Sequence, residues 1–438
     1  MAIWWLSEAV PIPITACLPL VLYPLLGVFG KGPVGDTASA FEPFVDAYIF
    51  LFLGGMAIGA AMEQWRLHRR IALHIMRAIG TDPKRLLLGM LVATATISLW
   101  ISNTATAVMM VPIGVALLAQ LEAPLGGRKL THFGTAIMLA IAYASNVGGI
   151  GTKIGTGTNS IFCGFIADKM KIDIGFLHFI AVALPFVVIF IPLVWLALWR
   201  IGRQDDLGDG QAREALDREL AGMGAMSRGE RKVAIIFAAA AVLWIAGDPV
   251  RRAIAPHVPA LWEGFKLQGK HYEATVSMLA MAALLGVGAL SPRAIPRMPW
   301  GALVLLGGSF AMASGIEGSG LGGWMAQRLA VVGELPRVGQ IRLASFGTVA
   351  LSAVASNTAT VNIALNVLPR DLAVLFATCM AASCDFMLPA GTPPNAIVFG
   401  SGYVRLPAMI KAGFFLDLAA VVVITVYVYG YARHLLGG

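Results

Sequence analysis

The sequence predicts an all-α polytopic membrane protein assembled from two halves of inverted topology. Three observations predict it. The 438 residues are 58% hydrophobic and only 13% charged, about half the charged share of an average soluble domain, and the mean hydropathy is +0.77. The run Ser102-Asn103-Thr104-Ala105-Thr106 returns unchanged as Ser356-Asn357-Thr358-Ala359-Thr360, each copy inside a long apolar stretch and each preceded four residues earlier by a serine, Ser98 or Ser352. Further along, Gly155-Thr156-Gly157-Thr158-Asn159 is echoed by Gly391-Thr392-Pro393-Pro394-Asn395.

Taken in order, apolar segments long enough to cross a ~30 Å hydrocarbon core fall near 3–29, 46–63, 133–167, 174–200, 233–247, 273–290, 300–318, 371–402 and 405–436. The first of them, Met1 to Gly30, lacks the basic start of a signal peptide and is interrupted by Glu8, Pro11 and Pro13, so it is read as a mature span. Two more stretches, 83–123 and 341–369, carry Ser-Asn-Thr in their middle. A simple spanning helix would leave those polar atoms unsatisfied in lipid, so each is predicted to be a re-entrant hairpin with the motif at its tip. The 133–167 and 371–402 spans are predicted to break at their Gly-Thr-x-x-Asn elements, where glycines relax the backbone and Pro393 and Pro394 lack amide donors. An amphipathic stretch, Trp65 to Ala78, follows the second span, and Leu321 to Val332 stands in the matching place of the second half. Arg200 to Lys232, rich in both charge signs, divides the halves.

Basic residues gather in three loops: Arg66, Arg69, Arg70, Arg77, Lys84 and Arg85; Arg203, Arg213, Arg218, Arg228, Arg231 and Lys232; and Arg293 with Arg297. Such loops face the cytoplasm. Counting spans and hairpins puts all three on one side and makes the first hairpin enter from the cytoplasm, the second from outside. The net charge of +8 therefore sets orientation, and its scatter among loops, without interleaved aromatics, argues against nucleic acid. Cys17, Cys163, Cys379 and Cys384 lie in apolar segments without metal or disulfide spacing, and are read as packing residues.

Small polar residues at membrane depth also serve close helix packing, and Pro and Gly also merely kink spans. Packing explains small size but not asparagine recurring at matched positions, so a binding role is favoured. Freed carbonyls with Ser and Asn oxygens form a cradle for a hard cation, while half-helix N-termini attract anionic groups. Inverted repeats meeting at the midplane are how one site opens alternately to either side. Two other classes compete with this reading. Gly318-Ser319-Gly320 superficially resembles a serine nucleophile, yet none of the seven histidines (68, 74, 132, 178, 257, 271, 434) lies in a core span where it obviously pairs with it, and His-Glu-x-x-His is absent. Hairpins with polar tips also line channels.

The motifs closely resemble those of the divalent anion:sodium symporter family, whose members carry succinate, malate, fumarate, citrate or sulfate. The resemblance runs from Trp4-Trp5-Leu6-Ser7-Glu8-Ala9-Val10-Pro11 through Phe52-Leu53-Gly54-Gly55 and both Ser-Asn-Thr hairpins to Phe386-Met387-Leu388-Pro389 and Gly391-Thr392-Pro393-Pro394-Asn395. It implies an inverted-repeat transporter of elevator type, a homodimer in the bacterial inner membrane, with scaffold helices in 1–80 and 233–334, transport elements in 81–200 and 335–438, and a cytoplasmic linker at 201–232. Carried over motif by motif, one Na⁺ site uses Ser98, Ser102, Asn103 and Gly155, and a second uses Ser352, Ala355, Asn357 and Gly391. Asn103, Thr104, Thr156, Asn357, Thr358, Thr392 and Pro393 would meet the substrate carboxylates. Neutral donors hold a dianion without arginine because bound Na⁺ offsets its charge. The expected activity is Na⁺-coupled transport of a C4-dicarboxylate, with citrate or sulfate as further candidates.

The chain departs from the family pattern in three ways. It begins late, without the first span and most of the second. Gly157-Thr158 replaces Pro-Pro in the first break. Lys153 and Asp385 stand where apolar or small residues are expected, and an ionisable group at membrane depth is a functional candidate. Three readings stay open for them: mutual pairing or snorkelling; Lys153 as a fixed cation in place of one Na⁺, giving sodium-independent anion exchange; and Asp385 as a proton carrier.

Overall fold

The computed structural model describes residues 4, 9–125, 128–205, 211–254, 269–321, 323–324 and 333–436. Trp5 to Glu8 of the N-terminal motif, His257 and most of the Leu321–Val332 stretch lie outside the described residues.

Among the described residues the chain is helical throughout, and the expected elements follow in order. Ala47–Gln64 forms the second span, started by Asp46, whose side chain accepts the Tyr48 N–H. Leu67–Ile79 is amphipathic, burying Leu67, Ala72, Leu73 and Met76. The first hairpin consists of Pro83–Ser98 and Asn103–Glu122, and the second of Arg337–Ser352 and Asn357–Val367. Thr131–Gly149 and Gly157–Lys169 are the two arms of one broken helix, Leu372–Ala382 and Pro393–Phe399 those of the other. Each half closes with a long apolar helix, Phe176–Gly202 or Leu406–Tyr427. Arg228–Ile245, Gly269–Gly286 and Trp300–Gly318 are the remaining long helices.

Two expectations need correction. The segment near 3–29 is not one span: its described part is two short helices, Ile12–Ala16 and Leu18–Leu26, the second with Pro24 inside it. The break falls at Cys17, where Pro19 cannot donate to the Thr15 carbonyl four residues back and its ring crowds that carbonyl, so an apolar composition does not give an unbroken rod. The segment dividing the halves is not a bare linker. It contains the helix Gln211–Met223, held against the amphipathic helix by Arg69–Glu219 and Arg77–Asp217 ion pairs, and Arg70 pairs with Glu230 beyond it.

Packing repeats between halves. In each, the first hairpin arm lies against the first arm of the broken helix, and the broken helix's second arm lies against the second hairpin arm of the other half. The halves are thus interlocked crosswise. Ala47–Gln64 and Gly269–Gly286 form the most intimate helix pair outside them, and Gly54 makes that approach possible. A Cβ there would stand 2.6 Å from the Ser277 carbonyl oxygen and 2.7 Å from its carbon, both backbone atoms that a rotamer change cannot clear. Gly54→Val is expected to lower stability by about 1–3 kcal/mol through overpacking, read as a lower midpoint in thermal unfolding of the detergent-purified protein.

Candidate functional site

Both hairpin tips are built the same way. Ser102 caps the helix that follows it by accepting the Ala105 N–H at 3.4 Å, and Ser356 does the same for Ala359 at 3.3 Å. Serine is favoured at this position because its oxygen satisfies an amide that the first turn leaves free. Behind each tip, the earlier serine turns its hydroxyl inward. Ser98 Oγ lies 2.7 Å from the Ser145 carbonyl and 3.1 Å from Asn103 Oδ1. Ser352 Oγ lies 2.8 Å from the Ala382 carbonyl and 3.0 Å from Asn357 Oδ1.

The helix breaks are held open by asparagine. Asn159 Nδ2 reaches the carbonyls of Gly149, Ile150 and Thr152 at 2.9, 3.1 and 2.7 Å. Asn395 Nδ2 reaches those of Asp385 and Leu388 at 3.2 and 3.0 Å. One amide thereby satisfies carbonyls that unwinding has stripped of helical partners, a requirement where no bulk water is present. The correspondence makes Gly149 and Asp385 structural mates, and likewise Thr152 and Leu388. The sequence shows both asparagines within their motifs without showing this bracing role.

The first cluster fits a cation by its donor chemistry. The inward end of the Asn103 amide lies 3.1 Å from the Ser145 carbonyl oxygen, 3.1 Å from Ser98 Oγ and 3.2 Å from the Gly155 carbonyl oxygen. With nitrogen inward, the amide donates to all three. With oxygen inward, the Asn103 oxygen, Ser98 Oγ and the Ser145 and Gly155 carbonyls are together the hard, neutral donors that a cation takes. Of the residues expected there, Ser98, Asn103 and Gly155 come together; Ser102 is instead occupied with capping.

A polar bridge joins the halves. Asn103 Nδ2 donates to Asn146 Oδ1 at 3.4 Å, and Asn146 Nδ2 donates to Thr392 Oγ1 at 3.2 Å. A second contact across the halves joins the Thr158 and Ser383 hydroxyls, 3.2 Å apart. Asn146 falls outside both repeated motifs, which is why no sequence signal marks it. Thr156 and Thr392 are buried, and Thr358 stands beside the first break, its Oγ1 3.9 Å from where a Cβ on Gly157 would be. Thr104 and Pro393 are exposed. Four helix N-termini, at Asn103, Gly157, Asn357 and Pro393, are therefore linked around the two breaks. The N-termini at Asn103, Gly157 and Asn357 carry free N–H groups that favour an anion, whereas Pro393 and Pro394 have none to offer at theirs. Next to the first hairpin tip a cavity of about 680 Å³ is lined by Ser102, Ala105, Glu63, Arg293 and Arg297.

Lys153 and Asp385 do not pair with each other. Lys153 Nζ is held by Glu273 Oε1 at 2.9 Å and Oε2 at 2.8 Å, the two side chains being 0% and 3% exposed. Glu273 belongs to Gly269–Gly286, so the pair ties the first break to a neighbouring helix. The sequence hid this because 120 residues separate the partners. With its charge matched by Glu273, Lys153 is not left to stand in for a cation beside the substrate.

The comparisons with known proteins agree with this geometry. The model of the sodium:sulfate symporter transmembrane region matches residues 1–437. The chain belongs to that family. It is 34% identical over 463 residues to the sodium-dependent dicarboxylate transporter SdcS of Staphylococcus saprophyticus, covering 100% of this chain and 85% of the relative. It is 32% identical to SdcS of Staphylococcus aureus, covering 98% and 84%. Among solved structures, the Alcanivorax borkumensis YdaH transporter aligns over 96% of this chain and 98% of its own with a TM-score of 0.62 at 16% identity. Neisseria gonorrhoeae MtrF aligns over 98% and 97% with a TM-score of 0.61 at 12% identity. This symporter-family chain is accordingly a multi-pass membrane protein with the inverted-repeat transporter fold.

Breaking the buried ion pair singly is costly because a charge is left alone. Glu273→Ala is expected to destabilise the protein by about 3–5 kcal/mol. The double change Lys153→Met with Glu273→Leu is expected to recover most of that in thermal unfolding. Asn159→Ala is expected to raise hydrogen exchange of the amides at 150–156, measured by mass spectrometry, with smaller changes at 383–392.

Proposed function

We propose that this protein is a secondary active transporter that moves a C4-dicarboxylate such as succinate, malate or fumarate together with Na⁺. The observation that carries the proposal is the duplicated oxygen cluster. Ser98 with Asn103, and Ser352 with Asn357, present matched oxygens beside freed carbonyls, while helix N-termini face the space next to them. Hard oxygens suit Na⁺, and neutral amides, hydroxyls and helix ends suit carboxylates. The names of the SdcS relatives, sodium-dependent dicarboxylate transporters, support the same substrate and ion.

The first Na⁺ site is assigned to Ser98, Asn103 and the Ser145 and Gly155 carbonyls, and the second to Ser352, Asn357, and the backbone at Ala355 and Gly391. Asn103, Thr104, Thr156, Asn357, Thr358, Thr392 and Pro393 form the substrate's surroundings. Sodium binds first: without its charge, the helix ends and neutral side chains hold a dianion weakly. The Arg293 and Arg297 cavity beside Ser102 serves as the cytoplasmic approach, its guanidiniums drawing the anion inward.

The interlocked hairpins and broken helices (81–200 and 335–438) move as one transport body against scaffold helices in 1–80 and 233–334, an elevator. Their crosswise packing supports motion as a unit. A homodimer and a place in the bacterial inner membrane complete the reading, on the strength of the family resemblance.

In proteoliposomes, uptake of radiolabelled succinate is expected in a sodium gradient and is expected to vanish when choline replaces sodium; undiminished uptake in choline refutes sodium coupling. Unlabelled malate and fumarate are expected to compete, and citrate and sulfate to compete weakly. Asn357→Ala is expected to reduce uptake at least tenfold, through loss of a group that touches both ion and substrate.

A further inference from the structure

Asp385 is the feature that this reading leaves unexplained. Its side chain is 1% exposed, and neither carboxylate oxygen accepts a hydrogen bond. Among the described residues no lysine, arginine or histidine pairs with it. The nearby Asp417 spends Oδ1 on the Phe386 N–H at 2.9 Å and offers no positive charge. A bare carboxylate at membrane depth is severely costly.

The repeat shows where the carboxylate points. Gly149 is the mate of Asp385, because the carbonyl of each is braced by the asparagine of its break. A side chain added at Gly149 would run directly onto Asn103 Oδ1, the oxygen at the centre of the first cluster. Asp385 supplies such a side chain in the second half. Its Oδ2 would be struck by a Cβ on Gly391, with the Ala353 carbonyl 3.3 Å from that same point. Gly391 is a second-site residue.

We propose that Asp385 is a direct ligand of the second cation site, giving it a fixed negative charge that the first site lacks. This rests on the sodium-coupled reading above and deepens it. One carboxylate among Ser352, Asn357 and backbone oxygens makes a set for a monovalent ion; divalent cations of similar size take several carboxylates and more ligands. The second site therefore binds Na⁺ without waiting for substrate, its ion neutralised by the protein. The first site's ion remains positive and is the one whose charge the dianion balances.

The test is ²²Na⁺ binding to the purified protein in the absence of any anion, with choline as the filler salt. The wild type is expected to show a tight component that Asp385→Asn weakens roughly tenfold or more and that Ser98→Ala leaves in place. Asp385→Gly, which copies the first half, is expected to behave like Asp385→Asn, while Asp385→Glu, which keeps the charge, retains part of the tight component. Sodium-dependent thermal stabilisation of each variant, a readout of binding to the folded state, confirms that the variants fold. Unchanged sodium affinity in folded Asp385→Asn and Asp385→Gly overturns the proposal. If wild-type protein binds sodium in this manner yet takes up no dianion in proteoliposomes, the transport reading fails and the Asp385 site stands. If uptake is sodium-dependent and the Asp385 variants bind sodium normally, only the Asp385 site falls.

Discussion

Backbone carbonyls that this chain frees at membrane depth have to find partners inside the protein, and the architecture follows from how that is met. Unwinding a helix frees carbonyls, and no bulk water is present to receive them. Asn159 and Asn395 answer this by bracing several carbonyls with one amide each. Once the breaks are braced, the remaining oxygens and helix ends are fixed in direction. Sites of this kind gain from rigidity, because donors that are already oriented need no reorganisation when charge arrives.

The same constraint explains the interlocked packing. Each hairpin tip carries polar atoms that a lone hairpin would expose to lipid. The second arm of each broken helix covers the other half's hairpin, and the two broken helices bond to each other across the repeat boundary, Asn146 to Thr392 and Thr158 to Ser383. The Lys153–Glu273 pair lies at the edge of this unit, joining the first break to Gly269–Gly286. A buried ion pair contributes specificity of position more than net stability. It fixes how the interlocked unit seats against that helix.

Much of this was legible in the sequence, for a physical reason: the constraints that shape a membrane chain are written locally. Apolar length marks spans, a polar motif at mid-depth marks a hairpin, and glycine or proline beside an exposed carbonyl marks a break. The pairing of Ser98 with Asn103, repeated at Ser352 and Asn357, could be read because the partners are five residues apart in both halves. Contacts that depend on chain trajectory were hidden. Glu273 gives no sign in the sequence that it will meet Lys153, and Asn146 sits outside both repeats. The helix Gln211–Met223 was obscured by its charge, which its ion pairs with the amphipathic helix put to use. The N-terminal segment misled in the opposite sense, since composition outvoted prolines that stop a rod from forming.

The crosswise arrangement has a consequence for engineering. Each broken helix seats its second arm on the hairpin of the other half, so neither half expressed alone keeps its hairpin covered. A design that splits the chain has to supply both pieces together.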